Sequence, residues 1–167
     1  MSLTPPPKVQ KLRTTLHAKA KGSPEYRFYR LEDKVDRRDI REFAYRRCRS
    51  DDGAPGVDGQ TFEDIEAYGR DRWLDELTTE LRRRTYRPDP VRRVLIPKGD
   101  GERRPLGIGS IRDRVVPMAV VLVLEPIFEA DLPPEQGAYR PDHRALDAIR
   151  PVHGSVNTGP TEVVDAD

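Results

Sequence analysis

Residues 86–128, YRPDPVRRVLIPKGDGERRPLGIGSIRDRVVPMAVVLVLEPIF, narrow what this chain can fold into more than any other stretch. Two short strand-like runs, 91–96 and 102–106, flank the turn residues 98–101, the pattern of a β-hairpin with a basic rim. Directly afterwards, Ser110 and Asp113 have the spacing of a helix start, and apolar residues carry the helix to about residue 128. The long apolar run 115–124 covers about half of a membrane span and contains Pro117, so a core helix is expected there.

Upstream, three prolines precede Val9, Leu12, Leu16 and Ala20 at helical spacing, and Gly22 ends the stretch. A second basic amphipathic helix is expected from residue 36, with Ile40, Phe43 and Ala44 on its apolar face. DDGAPGVDG at 51–59 is turn chemistry. Thr61 with Asp64 predicts a helix start, and a longer helix is expected over 70–84 with Trp73, Leu74, Leu77 and Leu81 inward. Downstream, Asp142 is expected to cap a short helix through Ile149, GSVNTGPT to be a loop, and 162–167 to begin a buried strand.

Net charge is +1, yet the charges are segregated. Lys and Arg against Asp and Glu run 14 to 6 over 1–50, 2 to 10 over 51–81, 11 to 4 over 82–114, and 3 to 9 over 115–167. The two basic blocks are candidate nucleic-acid surfaces, with solvated helix faces as the alternative. Charged and hydrophobic residues each make up 35%, a polar balance for a self-contained globule. One cysteine, Cys48, excludes an internal disulfide and reads as a packing residue. The start MSLTPPPKVQ has no signal-peptide core, so a cytoplasmic setting without membrane insertion is expected. His17, His143 and His153 lack metal-site spacing and read as surface residues. The glycines at 99, 101, 107 and 109 lack nucleotide-fold spacing and serve the hairpin.

Five blocks, taken in order, resemble the group II intron reverse transcriptases of bacteria and their free-standing relatives. These are the Gly-x-Asp-Gly turn at 56–59, the run 86–117, LEPIFE at 124–129, the G-x-RP turn at 137–141 and the apolar-acidic strand at 163–167. Gly109-Ser110 stands where the family has Pro-Thr, and GAYRP replaces YGFRP. Pro117 replaces Gln and is expected to kink or shorten its helix, because it removes an amide donor. The resemblance implies an α+β fold, the N-terminal fragment of a right-hand polymerase. Residues 1–52 would form a basic helical extension, 53–160 the fingers with the β-hairpin, and 161–167 the first strand of a truncated palm.

The same resemblance implies an RNA-directed DNA polymerase, working with Mg²⁺, dNTPs, an RNA template and a DNA primer, and in intron-encoded members binding intron RNA. Two metal ions need hard oxygen ligands, and Asp167 aligns with the first catalytic, metal-binding carboxylate, with Asp165 beside it. Lys98 and Arg104 align with residues that hold nucleotide phosphates; a basic edge that deters strand pairing is the alternative. Arg140 aligns in the turn near the templating base and is a candidate to contact the template or the incoming nucleotide. Adjacent on a strand, Arg92 and Arg93 face opposite ways, and one can reach a nucleic-acid backbone. Arg112 and Arg114 are candidates to position template, with intramolecular ion pairs as the alternative. The family's Tyr-x-Asp-Asp motif is absent from these 167 residues. The chain by itself is therefore expected to bind without polymerising; a non-catalytic RNA-binding module, or a remnant of a truncated gene, is the other expectation.

Overall fold

The computed structural model describes residues 3–99, 101–133, 136–137, 140 and 144–159. The fold is α+β: helices gathered around one long helix, with a single two-stranded hairpin. Helix α1, Pro7–Gly22, starts with Pro7 in its first turn, where a missing amide costs nothing. Its Val9, Leu12, Leu16 and Ala20 are buried, as their spacing predicts. A single turn, α2 (Glu32–Val35), precedes α3 (Arg38–Ser50), so the second helix begins two residues later than expected. Asp39 sits in its first turn and accepts from the Arg37 guanidinium at 2.7 Å.

Helix α4, Phe62–Tyr68, has the expected cap: the Thr61 hydroxyl accepts from the Asp64 amide, and the Asp64 carboxylate accepts from the Thr61 amide. Helix α5 runs from Arg70 to Arg82 and buries Leu74, Leu77 and Thr78, while Trp73 is half-buried and donates to Gln60 Oε1 at 3.2 Å. It ends two residues short of expectation, and Arg84 lies in the left-handed region at φ 58°. Strands β1 (Arg92–Pro97) and β2 (Arg103–Ile108) pair antiparallel, with Arg92 opposite Ile108 and Pro97 opposite Arg103.

Helix α6, Ile111–Glu129, is the centre of the packing: α1, α2 and α3 all lie against it. Ile111, Val115, Ala119, Leu122 and Val123 meet Ile40, Phe43 and Ala44 of α3 and Val9, Leu12 and Leu16 of α1 in one cluster. Each large apolar side chain buried there contributes roughly 1.5–3 kcal/mol. Residues 1–52 thus share their core with the segment that follows. Pro117 does not shorten α6, which continues for 19 residues through both Pro117 and Pro126. Packing on three sides holds the helix where propensity alone would end it.

The last helix, α7, spans Ala145–Thr158, so most of GSVNTGPT is helical and the loop expected there is a misassignment. The apolar residues Leu146, Ile149, Val152 and Val156 keep helical spacing across Gly154, although all four are exposed and α7 buries no residue among the described ones. The expected cap Asp142 and the expected strand 162–167 lie outside the described residues. Among the described residues, no helix is long and apolar enough to cross a membrane.

Candidate nucleic-acid interface

The hairpin carries five basic side chains against two acidic ones between residues 91 and 108. Its register sorts them by face, because alternate residues of a strand point the same way. Arg92 and Arg104 share one face; Arg93 and Arg103 share the other. The Lys98 amide donates to the Glu102 carbonyl at 2.7 Å, which extends the pairing by one step and puts Lys98 on the face of Arg104. They are diagonal neighbours, close enough to contact one phosphate group. Gly101, at φ 85°, supplies the left-handed residue that lets the chain reverse.

Arg92, Arg93, Arg103 and Arg104 are exposed and make no side-chain hydrogen bond or ion pair among the described residues. Lys98 faces Glu102 at 3.5 Å, an exposed pair of little net worth. Arg103 was not a sequence candidate, although its place beside Arg104 on a strand puts it on the opposite face, just as Arg93 is opposite Arg92.

The other nominated arginines are engaged within the protein. Arg112 pairs with Glu80 and lies over the Tyr86 ring, 5.1 Å from its centroid. Arg114 donates to the Gly53 carbonyl at 3.2 Å and lies 5.6 Å from the Phe62 centroid. Nε of Arg112 and both Nε and Nη2 of Arg114 are buried without a hydrogen-bond partner among the described residues. Arg140 binds Glu129 at 2.5 Å and the carbonyls of Pro133 and Gln136 at 3.0 and 3.1 Å, tying the segment after α6 back to its end.

The junction between hairpin and helix is a polar knot around Asp113. Its carboxylate accepts from the Tyr86 hydroxyl, the Asp89 amide at 2.8 Å and the Ser110 hydroxyl at 2.8 Å. Burial opposes its ionisation, but these donors outweigh burial and hold the carboxyl below its ordinary value. Burial and the Asp113 charge push the Tyr86 hydroxyl well above its own. Gly56 lies directly beneath: a Cβ there would fall 2.6 Å from the Ser110 backbone, so the 51–59 turn fits only with glycine at this point.

Part of the first basic block is paired within the protein. Arg38, Arg41 and Arg49 of α3 reach Asp71, Asp75 and Glu66, so the 51–81 acidic block neutralises part of the block before it. His17 is not a lone surface residue: its Nδ1 lies 3.1 Å from the Pro126 carbonyl. Burial pushes the Cys48 thiol up to about 11, as suits a packing residue. His153 is exposed and bonds to Asn157; His143 lies outside the described residues.

Asp167 and Asp165 also lie outside the described residues. Among the described residues, no group of three or more His, Cys, Asp and Glu side chains could hold a metal ion.

No protein-family model matches the chain. It is similar to the protein YkfC of Escherichia coli K12, with 36% identity over 146 residues, covering 86% of this chain and 38% of that protein. It is also similar to the group II intron-encoded protein LtrA of Lactococcus lactis subsp. cremoris, with 32% identity over 127 residues, covering 74% of this chain and 21% of that protein. A 91 kDa protein in cob intron of Schizosaccharomyces pombe is 31% identical over 117 residues, covering 69% of this chain and 14% of that protein. The chain therefore spans about two fifths of YkfC and one fifth of LtrA.

Proposed function

We propose, from the premise that this chain belongs to the group II intron-type family of bacterial reverse transcriptases, that it forms the nucleic-acid-gripping part of an RNA-directed DNA polymerase. In this scheme α1 to α3 are the helical extension of a right-hand polymerase, the hairpin belongs to its fingers, and the chain beyond residue 160 enters the palm. The hairpin is the supporting observation: four exposed arginines free of internal partners, on a ladder that fixes which of them share a face.

Arg104 and Lys98 take the phosphates of an incoming dNTP, since a planar guanidinium fork and a mobile ammonium suit a triphosphate. Arg92 and Arg93 take the RNA template backbone, the primer duplex or intron RNA, contacts that need no base sequence. Arg112 and Arg114 act one step back, holding the junction that carries the hairpin, and Arg140 holds the segment after α6. Asp167 contributes a metal-binding carboxylate for Mg²⁺. Because the 167 residues hold no Tyr-x-Asp-Asp, polymerisation is assigned to the longer protein and binding to this chain. A cytoplasmic setting accords with the single buried thiol.

Primed RNA offered to this chain with radiolabelled dNTPs tests the assignment. Retention of the primed RNA on a filter, with no incorporation above a D167A control, is the expected result. Failure to retain it at low salt would contradict the proposal.

A further inference from the structure

Among the described residues, the hairpin is attached to the body chiefly through its roots. Neither β1 nor β2 buries a residue, and neither packs more than marginally on any helix, whereas α1, α2 and α3 all lie against α6. A two-stranded hairpin without a covering layer is marginal in water, so its direction has to be set where it joins the body. Both roots converge on one carboxylate. On the entering leg, the Tyr86 hydroxyl donates to Asp113 Oδ1 and the Asp89 amide to Oδ2; on the leaving leg, the Ser110 hydroxyl donates to Oδ2. The body holds each root in turn. Tyr86 lies against the Arg112 guanidinium, which pairs with Glu80, and Ser110 is fully buried beside Gly56.

A carboxylate suits this junction because it accepts on both oxygens and donates on neither, so donors from two separate legs are satisfied by one group. Bonds to an ionised acceptor are also roughly twice as strong as neutral ones. An amide of the same shape would turn its own N–H groups toward one of these donors. We infer that Asp113 is a positioning residue: by clamping both roots it fixes the angle at which the arm presents Arg92, Arg93 and Arg104 to nucleic acid, without touching the nucleic acid itself. This rests on the hairpin's proposed role. A loosened arm would still make the same phosphate contacts once bound, and would lose affinity in proportion to the time it spends misaligned.

Two measurements on the whole chain test it, with circular dichroism confirming that each variant is folded. Spin labels on Gly22→Cys and Gly99→Cys, where an added side chain meets nothing within 4 Å, report the distance from body to arm; the buried Cys48 stays unlabelled. Wild type should give one narrow distance distribution and Asp113→Asn a broad one. Fluorescence anisotropy with a labelled RNA–DNA duplex across a salt series should then show Asp113→Asn binding about tenfold more weakly with the wild-type salt slope, because no phosphate contact is removed. A destabilised but correctly aimed arm would keep both the distance and the affinity. Tyr86→Phe and Ser110→Ala each remove one donor and keep the carboxylate, so they decide the matter if Asp113→Asn does not fold; each should broaden the distribution and weaken binding by a smaller factor. Wild-type distances, wild-type affinity or a reduced salt slope in Asp113→Asn would each overturn the positioning role, as would wild-type distances in both single-donor variants. The Arg92→Ala, Arg93→Ala, Arg104→Ala variant separates the two failures. If it binds the duplex as tightly as wild type, the reading of the hairpin fails and takes the positioning role with it; if it loses affinity while Asp113→Asn does not, the positioning role fails alone.

Discussion

Arg13 of α1 donates at 3.3 Å to the carbonyl of Leu122, the oxygen that Pro126 leaves without its helical donor. The relationship repeats down both helices: His17 bonds the Pro126 carbonyl and Lys21 the Ala130 carbonyl, each pair 109 residues apart. The two helices therefore run in the same direction, and every fourth residue of α1 satisfies an oxygen in the last turns of α6. Cations at that end also face the negative pole of the helix. Arg13 further pairs with Glu125 at 2.6 Å.

Removing this bond should cost less where its acceptor has another donor. Arg13→Ala is expected to destabilise by about 2 kcal/mol, since it strips a charged donor from the carbonyl of buried Leu122. Pro126→Ala restores the amide that Leu122 lacks, so Arg13→Ala in that background should cost about 1 kcal/mol less. Urea denaturation of the four proteins reads the coupling directly.

Gly56→Ala should be among the most damaging small substitutions in the chain. Its methyl group meets the Ser110 backbone, which cannot rotate away as a side chain could. A loss of about 3 kcal/mol is expected. Gly22→Ala, where the added carbon meets nothing within 4 Å, serves as the control and should leave the melting temperature nearly unchanged.

Asp113 gives the fold an acid-sensitive joint. Its folded value lies below the ordinary one, so the stability it contributes is fully present above about pH 4 and is lost as pH falls through the folded value. Asp113→Asn should weaken the protein by about 2 kcal/mol at pH 6. The gap between variant and wild type should narrow toward pH 3, as measured by chemical denaturation at both values.

How legible all this was depended on whether the deciding force left a periodic trace. The hairpin, the Thr61 cap and the buried faces of α1, α3 and α6 follow from residue spacing, which records burial directly. The ladder of Arg13, His17 and Lys21 left no such trace, since basic residues four apart look the same whether they face water or a neighbour's carbonyls. Arg112, Arg114 and Arg140 were opaque for the same reason: a guanidinium suits a phosphate and a glutamate equally. Composition misled at 154–158, where Gly, Ser and Asn suggested a loop while Val152 and Val156 kept the helical period.

The central claim is that hairpin arginines, and not those tied within the body, grip nucleic acid. Titrating a labelled RNA–DNA primer duplex across a salt series with wild type, the Arg92→Ala, Arg93→Ala, Arg104→Ala variant and Arg140→Ala measures it most directly. The hairpin variant should bind more weakly and lose about two from the slope of log affinity against log salt. Arg140→Ala should keep the wild-type slope while melting at a lower temperature. A hairpin variant with the wild-type slope, or an Arg140→Ala slope reduced as far as the hairpin variant's, would contradict it.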